Sequence, residues 1–105
     1  MRAITLTASG VAATAVAPTN LNVSPFNIGL GIVVTGTVTY TVQHTFDDVY
    51  SPTFNPATAT WFPHASLVGQ TASADGNYAF PVRGIRVNIT AGTGSIVATV
   101  AQAGI

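Results

Sequence analysis

The sequence predicts an all-β chain folded as one antiparallel β-sandwich of about six to eight strands. Three observations predict it. Residues 37–46, TVTYTVQHTF, alternate strictly, with Val38, Tyr40, Val42, His44 and Phe46 on one side and threonines and Gln43 on the other. That is the period of a half-buried strand. No segment carries a helical period, and the β-branched residues Thr, Val and Ile dominate. Clusters rich in Gly, Pro, Asn and Asp punctuate the chain at short intervals and mark turns.

Taken in order, Ile4–Ser9 reads as a first strand with Ile4 and Leu6 on one face. Its hydroxyls and Gly10 interrupt any signal-peptide core, so it is expected to belong to the mature protein. Val11–Val16 is a small-residue stretch that suits a second strand or an extended arm along a neighbour. Residues 1–27 are the part of the single domain, 1–105, expected to be partly extended. Pro18–Pro25 is turn-rich. Ile28–Thr35 is a buried strand candidate, and Gly36 predicts a hairpin joining it to the strand at 37–46. Gly29 and Gly31 inside that candidate suggest a bulge or a close backbone approach.

Residues 47–68 form a loop far longer than the usual connection of about 4–6 residues, so it is packed or functional. Asn55–Thr60 suits one short helical turn. Trp61-Phe62-Pro63 is expected to anchor the loop end, with Trp61 either plugging the core or serving as an exposed contact. Asp75-Gly76-Asn77 predicts a tight turn. Val82–Thr90 puts Ile85, Val87 and Ile89 on one face. Ala91–Gly94 predicts a final hairpin, and Ser95–Gln102 a last strand with Ile96, Ala98 and Val100 together. The alternation and turn spacing point to a jelly-roll-like or immunoglobulin-like sandwich.

Charge is the unusual quantity. The chain has 105 residues and 48% hydrophobic content, but only 6% Asp, Glu, Lys and Arg, with three basic and three acidic residues and zero net charge. Ordinary soluble domains carry about 25%. So neutral a surface favours self-association and suits burial against copies or a lattice. Three arginines cannot supply the phosphate contacts of a nucleic-acid binder. No run of about 18 apolar residues is present to span a membrane as a helix. With no cysteine there is no disulfide or thiolate metal site, which favours synthesis in a reducing compartment.

The chemistry-bearing residues are few. His44 lies on the apolar face of its strand and reads as a hydrogen-bonded packing residue. Asp47 and Asp48 read as turn caps or partners of Arg83 or Arg86, without a calcium-loop pattern. No zinc spacing, nucleophile elbow, P-loop or dinucleotide fingerprint occurs. The expectation is a non-enzyme with no catalytic residue, no metal and no cofactor. The aromatic loop supplies the candidate interface: Tyr50, Phe54, Trp61, Phe62 and His64.

The stretch YTVQHTFDDVYSPTFNPATATWFPH through DGNYAFPVRGIRVNIT resembles small Thr/Ala/Gly-rich structural proteins of tailed bacteriophages. The resemblance implies a virion component, foremost a capsid decoration (cement) protein made in the host cytoplasm and seated on the capsid exterior. Its implied partner is the major capsid protein. The chain is also expected to partner itself, as a homotrimer first and a dimer second. One alternative is a tail- or fibre-associated module that binds a host-surface glycan. Another is a shell-forming coat subunit, against which the short length and missing basic arm count.

Overall fold

Alternation along the longer strands settles which side chains turn inward, and the chain forms eight strands in all. They are β1 (Ile4–Ser9), β2 (Ala17–Pro18), β3 (Ile28–Thr35), β4 (Val38–Thr45), β5 (Phe62–Pro63), β6 (Ala74–Tyr78), β7 (Gly84–Gly92) and β8 (Ser95–Gln102). The structure is a computed structural model and describes residues 3–19, 21 and 26–102. Part of the turn-rich 18–25 stretch lies outside the described residues. In β8, Ile96, Ala98 and Val100 are buried while Val97, Thr99 and Ala101 are exposed, as a period of two requires. In β7, Ile85, Val87 and Ile89 point inward.

The strands form two four-stranded antiparallel sheets, ordered β1-β8-β3-β6 and β2-β7-β4-β5. Their inner faces meet in one core of Leu6, Ile28, Leu30 and Ile32 against Val38, Tyr40, Val42 and Ile89. Fully burying each such aliphatic side chain stabilises by about 1.5–3 kcal/mol. Only β4 and β5 are neighbours both in sequence and in a sheet. The chain otherwise crosses between sheets at each step, which is the connectivity of a jelly roll.

Two expected hairpins are therefore corrected. β3 does not pair with β4, nor β7 with β8. Instead β3 pairs with β8 and β4 with β7. The segments 28–45 and 84–102 make one long antiparallel ribbon, bent from sheet to sheet where residues 36–37 pass residues 93–94. Glycine makes the bend possible. Gly36 and Gly92 have φ of 81° and 100°, a region that side chains with a Cβ avoid. A Cβ on Gly92 would run into the Thr37 carbonyl, and one on Gly94 into the Thr35 carbonyl. The Gly94 amide donates to the Thr37 carbonyl at 2.9 Å.

Asp75-Gly76-Asn77 is not a turn but the centre of β6, paired with β3 from Ile28↔Tyr78 to Ile32↔Ala74. The glycine there makes room. A Cβ on Gly76 would lie 2.9 Å from Leu67 Cδ1 and 3.6 Å from the His64 ring. Phe46 is a fourth correction, since it does not share the inner face of β4. The alternation ends at His44, Thr45 is fully buried, and Phe46 turns outward. The Thr45 hydroxyl accepts the Asp47 amide at 3.1 Å, and its carbonyl accepts the Arg83 amide at 2.9 Å.

The described part of residues 1–27 lies against the sandwich itself. β1 edges one sheet. Residues 12–18 run beside β7, with the Thr14 amide donating to Val87 O and the Ile89 amide to Ala12 O, both at 2.8 Å. The long loop leaves β4 at Asp47 and returns through 62–70, where His64, Leu67 and Gln70 bond the backbone of Tyr40 and Val42.

Candidate interaction surface

One end of the sandwich gathers the aromatic side chains. His44 closes the inner face of β4, and Tyr78 ends β6 in the opposite sheet. The His44 Nδ1 and the Tyr78 hydroxyl share a 2.8 Å hydrogen bond that is buried. Four rings surround the His44 imidazole. Tyr78, Phe80 and Phe46 meet it edge-on at 4.9, 5.4 and 5.5 Å, and Phe62 stacks on it at 6.0 Å. Edge-to-face and offset pairs at these separations are the favourable aromatic geometries. His44 is 6% exposed, yet Phe46, Phe62 and Phe80 around it are 49%, 45% and 49% exposed. The result is a rigid base carrying three half-bare phenylalanines.

His64 supports this corner from the side. Its ring lies 4.8 Å from that of Tyr78. Its Nε2–H donates to the Asn77 carbonyl at 2.8 Å, so Nδ1 carries the lone pair that accepts the Ser66 amide and hydroxyl at 3.2 Å. Burial and the neighbouring His64 hold the His44 imidazole below its ordinary pKa, burial being the larger cause. Burial pushes the Tyr78 phenol upward. Both groups are thereby kept neutral, and His44 is the hydrogen-bonded packing residue that its strand position suggests.

The five candidate interface residues divide between places. Phe62 and His64 belong to the corner. Trp61 neither plugs the core nor stands free. It lies half-buried on the outer face of the β7 sheet, where the Arg86 guanidinium sits 4.1 Å from its ring centroid. Its indole N–H donates to Pro56 O at 2.9 Å, and Arg86 Nε donates to Gln43 Oε1 at 2.8 Å. Tyr50, 73% exposed, and Phe54 stand on the excursion of the loop.

Phe54 lines a shallow cleft of about 280 Å³ with Asp47, Asp48, Ser51, Thr53, Asn55, Thr58 and Ala59. Both aspartates cap backbone, Asp48 Oδ1 accepting the Tyr50 amide and Asp47 Oδ2 the Thr60 amide. Asn55 opens one helical turn, its carbonyl accepting the Ala59 amide at 2.9 Å. Among the described residues no three His, Asp, Glu or Cys side chains come together as a metal-binding group.

Phe46 and Phe80 are the surface residues that periodicity did not single out. They are 34 positions apart, and only the pairing of β4 and β6 with their neighbours brings them to one corner. Fold and surface together define a jelly-roll sandwich with a half-exposed aromatic corner. No protein-family model, curated protein or solved structure matches this chain significantly.

Proposed function

We propose that this is a structural virion protein that decorates a bacteriophage capsid and stabilises it by bridging major capsid protein subunits. The observation that carries the reading is the corner where Phe46, Phe62 and Phe80 stand half-bare over buried His44. It sits on a chain with six charged residues of 105 (three basic plus three acidic). Half-exposed apolar rings gathered in one patch are the kind of surface that marks a contact site. A protein that spends its life against a protein shell would use them, because desolvated aromatic anchors dominate interface energetics. The sequence resemblance to phage structural proteins agrees with this reading. Binding to the assembled shell alone stabilises it by mass action, and repetition over many sites multiplies a modest affinity.

The chemistry of the chain fits a binding and structural role, not an enzymatic one. Its partners would be the major capsid protein and copies of itself, on the capsid exterior. The test is light scattering and co-sedimentation of the purified protein with empty capsids of its phage. A discrete oligomer that pellets with capsids and raises their resistance to heat supports the reading. A protein that ignores capsids removes it.

The cleft beside Phe54 favours a second reading, a tail- or fibre-associated module for a host-surface glycan. Carboxylates, an amide and hydroxyls beside an aromatic ring suit sugar hydroxyls and an apolar sugar face. Glycan-array binding that is lost on Phe54→Ala, in a protein that does not pellet with capsids, selects it.

A further inference from the structure

The sandwich has four sheet edges, and three of them are guarded against strand pairing. β2 and β5 are two residues long and contain Pro18 and Pro63. β6 carries the exposed charge of Asp75 and the pliant Gly76. Short edges, prolines and charges are the devices that block edge-to-edge association. β1 has none of them. It is six residues, Ile4–Ser9, with no proline, no charge and an unbroken register against β8 from Ile4↔Val100 to Ser9↔Ser95. Among the described residues, β8 is its one strand partner.

The described residues of that flank are also uncharged. Residues 3–19 contain no Asp, Glu, Lys, Arg or His. In the second layer on this side run residues 11–16, where Val11 is 70% exposed and Ala12, Ala13 and Ala15 are exposed as well.

We infer that the β1 edge is a strand-addition site that takes β1 of a second copy of this chain, antiparallel and centred on Leu6. The sequence Ile4-Thr5-Leu6-Thr7-Ala8 is complementary to itself, which favours a second copy as the occupant. Antiparallel self-pairing about Leu6 sets Leu6 against Leu6 and Ile4 against Ala8 on the core side. It sets Thr5 against Thr7 on the outer side, twice. Every cross-strand pair then matches in polarity, and threonine pairs are favourable neighbours on an open sheet face. A shift of one residue would oppose core-side to outer-side residues throughout. The pair joins two four-stranded sheets into one of eight, and the neutral 11–16 segments flank the seam. A strand pair of this kind is a two-fold contact, so it places a dimer ahead of the trimer as the first assembled unit. The inference does not depend on the capsid reading.

The chain lacks cysteine, so engineered cysteines report the register cleanly. Thr5→Cys and Thr7→Cys proteins, mixed and oxidised, are expected to cross-link with each other in preference to themselves, because Thr5 opposes Thr7 of the other copy. Hydrogen exchange at rising protein concentration is expected to slow within residues 4–9. Thr7→Lys, which adds the missing guard on an outward position, is expected to weaken dimerisation by about tenfold or more while circular dichroism and the melting profile remain those of a folded protein. Leaving the chain monomeric at all concentrations would overturn the inference. So would a dimer whose residues 4–9 exchange as fast as in the monomer. Slowing of exchange in 4–9 only when capsids are added would assign the edge to a strand of another protein and would equally overturn pairing with a second copy.

Discussion

The Nδ1 of His44 and the hydroxyl of Tyr78 meet at 2.8 Å across the two sheets of the sandwich. One group belongs to β4 and the other to β6, so this bond ties the layers at the end where the aromatic corner is built. Tyr78→Phe removes the hydroxyl and leaves a buried imidazole nitrogen without its partner. The expected cost is about 1–3 kcal/mol, read from the urea midpoint. The double variant His44→Phe with Tyr78→Phe should cost less than the sum of the two single changes, since removing both partners removes the orphaned group.

Acid should loosen the same corner. Burial and His64 lower the pKa of folded His44 below the ordinary histidine value of about 6.5. Between that depressed value and about 6.5 the unfolded chain binds more protons than the folded one, so stability rises with pH in this window. The contribution is fully present above about 6.5 and is lost as pH falls towards the folded pKa. Melting temperatures measured from neutral to mildly acidic pH should fall, and His44→Gln should flatten the slope.

The bent ribbon predicts a contrast between glycines. Gly92→Ala places a methyl group against the Thr37 carbonyl at a backbone φ of 100°, and is expected to destabilise by about 3 kcal/mol or more. Gly31→Ala enters open space on an ordinary strand conformation. It should be neutral or stabilise by about 0.5–1 kcal/mol. Parallel thermal melts decide both, and equal losses would contradict the bend geometry.

Replacing Phe46, Phe62 and Phe80 together by Ser should separate folding from association. Each side chain is about half exposed, so the triple variant should stay folded. Its affinity for the proposed capsid partner should fall by about thirtyfold or more if these rings are the binding anchors. Pelleting with capsids measures it.

Trp61 is the single tryptophan of the chain and reports on its own packing. Arg86→Ala removes the cation over the ring and the donor to Gln43. A red-shifted fluorescence maximum and a loss of about 0.5–1 kcal/mol are expected. An unshifted spectrum would mean that the ring does not rest on Arg86.

Much of the secondary structure could be read from local pattern. Ile4–Ser9, Ile28–Thr35 and Ser95–Gln102 are strands with the bounds their alternation marks. Pairing could not be read this way. A period of two says which side chains turn inward, but not which strand lies alongside. Thr35-Gly36-Thr37 therefore resembles a hairpin turn although it carries the chain to the other sheet. β6 was hidden by Asp75, Gly76 and Asn77, which favour turns. Its pairing with β3 and the room Gly76 leaves for His64 override that preference. For the surface, Phe62 and His64 were visible in the aromatic loop, while Phe46 was hidden by an alternation that the fold ends two residues earlier.

β8 lies between β1 and β3, although it is made after both. While the chain is being synthesised, β1 and β3 have no strand between them, and Leu6, Leu30 and Ile32 lack the partner that completes their sheet. Such non-local closure makes folding slow, and the unpaired strands can associate with other chains in the meantime. The β1-β8-β3-β6 sheet can thus close only after the ribosome has delivered residues 95–102. A nascent chain halted before Ser95 should remain protease-sensitive, and one extended past Gln102 on a linker should become resistant.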